Sequence, residues 1–127
     1  MSVPIPTRVH YHKHDRELEL TYGEDESYRL SVEYLRVFSP SAEVRGHGPD
    51  TATLQVGKKF VGLQDITQAG RYALKLHFDD GHDSGLFSWD YLYALIRDHK
   101  ANWEDYLRRL DAASASREPL SIEIKQL

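Results

Sequence analysis

Cysteine is absent from the 127 residues. Disulfides, thiolate zinc sites, Cys-ligated iron–sulfur clusters and cysteine nucleophiles are therefore excluded. An excess of positive charge is missing as well. Net charge is −4, with acids and bases mixed along the chain, which argues against a phosphate-backbone binder. No apolar run approaches the roughly 20 residues of a membrane helix. The opening "MSVPIPTR" lacks the basic start and apolar stretch of a signal peptide. Neither G-x-x-x-x-G-K nor G-x-G-x-x-G occurs, and no nucleophile elbow does. The expectation is a soluble, cytoplasmic, monomeric protein without nucleic-acid or membrane partners.

What is present is enough for one domain with an aromatic-rich core. Hydrophobic residues make up 40% of the chain and include eight tyrosines and two tryptophans. The strongest pattern is an internal repeat, "LELTYGEDESYRLSVEYLR" (18–36) against "LKLHFDDGHDSGLFSWDYLY" (74–93). Each copy opens with alternating apolar residues, Leu18, Leu20 and Tyr22 or Leu74, Leu76 and Phe78, which reads as a half-buried strand. An acidic turn follows, then a short return strand, then Ser31 or Ser88 as a helix N-cap. A strand over 8–14 should form a hairpin with 17–22, and further strands are expected near 58–61, 63–68 and 71–78. From Trp89 the period becomes helical, with two helices breaking near His99–Asn102 and with Trp89 and Trp103 largely buried. The fold class is α+β: small antiparallel sheets built from two strand-turn-strand-helix repeats, with C-terminal helices. The domain spans 1–113, and 114–127 is a linker and tail.

Several clusters carry chemistry-bearing residues. "HYHKH" places His10, His12 and His14 at alternate positions, where imidazoles could share a metal. Strand neighbours two apart are roughly 6–7 Å from each other, so bridging all three is strained and a solvated face is preferred. "HFD" (His77 to Asp79) matches part of an iron facial triad, but the distal histidine strand is missing from a chain that turns helical. "DDGHDSG" offers three aspartates, too few oxygen ligands for a calcium loop, and reads as a hairpin turn. The densest polar stretch is "YLRVFSPSAEVRGHGP" (34–49). Ser39 and Pro40 can start a short helix over "SAEVR", and Gly46 and Gly48 permit a reversal around His47.

That stretch, together with "FDDGHDSGLFSWDYL", resembles the DUF971 family, the gamma-butyrobetaine-hydroxylase-like N-terminal domains. The resemblance covers roughly residues 5 to 113. It implies a compact α+β domain related to the N-terminal domain of gamma-butyrobetaine and trimethyllysine hydroxylases, and to a domain on an iron–sulfur carrier ATPase. In the hydroxylases three cysteines and a histidine hold zinc. The matching positions here are Ser39, Ser41, Val44 and His82, so no zinc is expected. The resemblance instead implies that the loop lies against the "DGH" turn, with His82 bonded to Ser39 or Ser41 as tethers. It further implies a non-catalytic accessory or interaction domain without cofactor, linked to iron–sulfur protein maturation. Glu43, Arg45, His47 and His82 would then meet a protein partner, since guanidinium beside imidazole suits a carboxylate or phosphate. The alternative is an iron-binding protein using His47, His82, Glu43 and Asp80.

Overall fold

A computed structural model describes residues 4–45 and 53–119, without the side chains of Glu43 and Arg45. His47 and the tail 120–127 lie outside the described residues. The first sheet is the antiparallel meander β1 (Arg8–His12), β2 (Glu17–Tyr22) and β3 (Glu26–Ser31), followed by helix α1 (Val32–Val37). A four-residue helix α2 (Ala42–Arg45) comes next. The second meander is β4 (Leu63–Ala69), β5 (Ala73–Phe78) and β6 (Leu86–Ser88), followed by α3 (Trp89–Arg97) and α4 (His99–Ala112). No helix of the described residues is long and apolar enough to cross a membrane.

The repeat is thus expressed twice as strand, turn, strand and capped helix. Ser31 Oγ accepts from Tyr34 N–H, and Ser88 Oγ accepts from Tyr91 N–H, each at 3.1 Å. These bonds satisfy one of the N–H groups that every helix start leaves without an intrahelical partner. The alternating residues Leu18, Leu20 and Tyr22 of β2 and Leu74, Leu76 and Phe78 of β5 all enter one buried cluster. Each buried leucine or phenylalanine contributes roughly 1.5–3 kcal/mol relative to exposure.

Three expectations change in detail. The stretch near 58–61 is a turn, closed by Val61 N–H donating to Lys58 O at 3.1 Å, and not a strand. Trp89 and Trp103 are half-buried at the edge of the core, which holds the fully buried Tyr34, while the fully buried Tyr106 lies in a second, smaller cluster. The helical break falls at Asp98, just before the expected site. Tyr34 holds that break from α1: its hydroxyl donates to Leu95 O at 2.7 Å and accepts from Asn102 Nδ2 at 3.0 Å. A carbonyl in the last turn of α3 is thereby satisfied from outside the helix.

Residues 114–119, expected as a linker, are tied to the domain. Gly57 N–H donates to Ser116 O and Lys59 N–H to Arg117 O, both at 3.0 Å. The Arg117 guanidinium binds the Glu33 carboxylate through two bonds, at 2.7 and 2.8 Å.

Candidate functional site

The polar loop after α1 lies against the turn that joins β5 to β6. Ser39 is fully buried, Ser41 is buried, and His82 is only 6% exposed. Ser39 Oγ and His82 Nε2 are 2.8 Å apart, the contact that the matched positions implied. Ser41 N–H donates to Ser39 Oγ at 3.4 Å, so the hydroxyl also organises its own loop. Space is made for it by Gly85, where a Cβ would stand 2.3 Å from that oxygen. The turn itself needs a left-handed residue, supplied by Gly81 at φ 90°. Phe78 N–H then donates to His82 O at 3.0 Å, closing the turn behind the histidine.

Asp80 is the electrostatic centre of this corner. Its Oδ2 accepts from Arg36 Nε and Lys58 Nζ, each at 2.9 Å, and its Oδ1 accepts from His82 N–H at 3.2 Å. Burial alone would push this carboxyl up. The bonds from Lys58, His82 N–H and Arg36 outweigh it and bring the pKa down to about 2. Arg36, itself buried, also donates to Gln55 Oε1 at 3.0 Å. The aromatic–Leu–Arg run therefore ties α1 to the second repeat through its arginine. Arg36, Gln55 and Lys58 were not singled out as site residues. Only the position of Arg36 beside Tyr34 and Leu35 could have suggested its role.

The remaining candidate residues divide clearly. Val44 is buried and anchors α2, and Val44 O accepts from Thr53 N–H at 2.8 Å. That bond closes the base of the segment carrying Arg45 and His47. Glu43 and Arg45 belong to α2, their side chains outside the described residues, as is the whole of His47. Beside the loop is a cleft of about 210 Å³ lined by residues that include Phe38, Ser39, Leu54, Tyr91, Tyr106 and Arg109.

The hydroxylase zinc does not fit these residues. Ser39 Oγ is engaged by His82, Val44 has no donor atom, and neutral hydroxyls do not replace thiolates. The corner is a hydrogen-bonded clamp between the two repeats.

Two three-stranded meanders, each leading into a serine-capped helix and joined by a polar clamp, define the class of domain. Residues 9–93 match the family model described as gamma-butyrobetaine hydroxylase-like, N-terminal. The chain belongs to this family, DUF971. It is similar to two proteins solved in solution by NMR. One is 53% identical with a TM-score of 0.81, covering 99% of both chains. The other is 46% identical with a TM-score of 0.79, covering 99% of this chain and 95% of that one. A crystal structure of a DUF971 protein of unknown function from Acidithiobacillus ferrooxidans is 32% identical, with a TM-score of 0.59 over 71% of this chain and 90% of that one. No curated protein matches the chain.

Proposed function

We propose that the protein is a non-catalytic accessory domain that recognises a protein partner in the cytoplasm, in the service of iron–sulfur protein maturation. The observation that carries this reading is the buried Ser39–His82 bond, in a corner where Arg36 and Lys58 both hold Asp80. Ser39 is fully buried and His82 nearly so, which leaves little of the pair open to a substrate. Glu43 and Arg45 follow the held serines in sequence, on α2, and Val44 O is fixed by Thr53 N–H. Arginine is suited to bidentate recognition of a partner carboxylate. The tie to iron–sulfur maturation comes from the family resemblance alone.

The test is a crosslinking pull-down with wild type and with Arg45→Ala/His47→Ala. The double variant should keep its melting temperature and lose the partners that wild type captures, including cluster-dependent or cluster-assembly proteins. A folded double variant that retains every partner would sink the reading. Iron held by His47, His82, Glu43 and Asp80 is the competing reading. It would compete with Arg36 and Lys58 for Asp80, and with Ser39 for His82. One iron per chain in an anaerobic Fe(II) titration, lost in His82→Ala, would favour it instead.

A further inference from the structure

The outer face of the first sheet carries a second cluster, remote in sequence from the clamp. With Leu18, Leu20 and Tyr22 turned into the core, strand alternation turns Glu17, Glu19 and Thr21 the other way. Three cross-strand rows result: Arg8, Thr21, Ser27; His10, Glu19, Arg29; and His12, Glu17, Ser31. The His10 and His12 rings stack with centroids 4.2 Å apart and planes at 22°. Glu19 Oε1 lies 2.7 Å from His12 Nε2. One ligand atom from each of His10, His12 and Glu19 falls within 4.8 Å of the other two. His14 sits in the turn after β1 and is not part of this group.

We propose that His10, His12 and Glu19 form a site for a divalent first-row transition ion of the zinc type, with water completing the coordination. Two imidazoles and one carboxylate are borderline donors of the kind such ions prefer over calcium or magnesium. The strain of bridging three histidines along one strand disappears, because the third ligand comes from the adjacent strand. The backbone register fixes Glu19 directly opposite His10. Metal bonds of about 2.0–2.2 Å place tetrahedral ligand atoms about 3.3 Å apart. Side-chain rotation alone can supply that closure. His12 and Glu19 already hold each other, and the hydrogen bond from His12 leads the causes that keep Glu19 below the ordinary carboxylate range.

Arg8 opposes the ion. Its Nη2 is 3.0 Å from His10 Nδ1 and donates to it, occupying a lone pair and adding positive charge. The arginine is exposed, so it can swing into solvent when an ion enters. Arg29, opposite Glu19, is drawn toward Glu17 at 3.4 Å and Asp15 at 3.7 Å.

The experiment is a zinc chloride titration of the untagged full chain, followed by calorimetry and by NMR of the histidine ring nitrogens. One ion per chain is expected, with ring shifts at His10 and His12 and an otherwise retained amide spectrum. His12→Ala and Glu19→Gln should each weaken binding at least about tenfold. Arg8→Ala should strengthen it, an effect that loss of structure cannot mimic. The proposal is overturned if zinc shifts centre on His47 or His82, if His12→Ala binds as wild type does, or if nothing saturable occurs at millimolar zinc.

Discussion

Gly85 and Asp80 show how much of this protein rests on single residues. A Cβ at Gly85 would stand 2.3 Å from Ser39 Oγ and 3.2 Å from Pro40 Cδ. Ser39 is fully buried and its hydroxyl is held by His82, so it has little room to retreat. Gly85→Ala should destabilise the protein by roughly 1–3 kcal/mol in urea denaturation. Adding Ser39→Ala removes the nearest atom, so the double variant should lose less than the sum of the single losses. Strict additivity in that cycle would show that the crowding is relieved elsewhere. Asp80 governs a pH effect. Its folded pKa of about 2 lies below the unfolded 3.8, so its contribution is full above 3.8 and is lost as pH falls toward 2. Discounted for solvent screening, the stability gap between wild type and Asp80→Asn should shrink by roughly 1 kcal/mol across that window. A gap that stays constant with pH would mean that the Arg36 and Lys58 bonds do not depend on the charge of Asp80.

At the scale of elements, what could be read from sequence was what local chemistry determines. Alternation, acidic turns and Ser31 and Ser88 all act within a few residues, and both meanders with their capped helices follow from them. The stretch near 58–61 was misread because Gly57 and Lys59 bond to Ser116 and Arg117, some 58 positions away, from a turn rather than a strand. The tryptophans were misread because a stripe pattern marks a helix face but not its depth. Trp89 lies at the margin, where its indole N–H can reach Arg71 O at 2.6 Å. At the clamp, the matched motif positions brought Ser39 to His82 and the aromatic–Leu–Arg run marked Arg36, whereas the pull of Lys58 on Asp80 has no sequence signature. The same holds for Glu19, which joins His10 and His12 only through the β1–β2 register.

For the molecule as a whole, the segment after α4 closes the structure over a buried acid. Glu33 is 5% exposed, and the Arg117 guanidinium grips both its oxygens from a position 84 residues later in the chain. Arg117 also lies over the Trp103 ring at 5.1 Å, and Lys59 binds Glu118 at 2.7 Å. Ala115 packs on the smaller core of Val37, Tyr106 and Leu110. Residues 114–119 thus bridge α1, α4 and the turn near 58–61, regions that no sheet or helix joins. Arg117→Ala would leave the Glu33 carboxylate buried and uncompensated, at a cost of about 3 kcal/mol. Glu33→Gln/Arg117→Ala removes the stranded charge and should recover a large part of that loss in denaturant unfolding. Ending the chain at Ala113 should cost at least as much as Arg117→Ala, because it also removes the Ala115 packing and the backbone bonds to Gly57 and Lys59. If the shortened chain and the Arg117→Ala variant both unfold at the wild-type denaturant midpoint, the closing segment contributes nothing and the domain is stable as residues 1–113 alone.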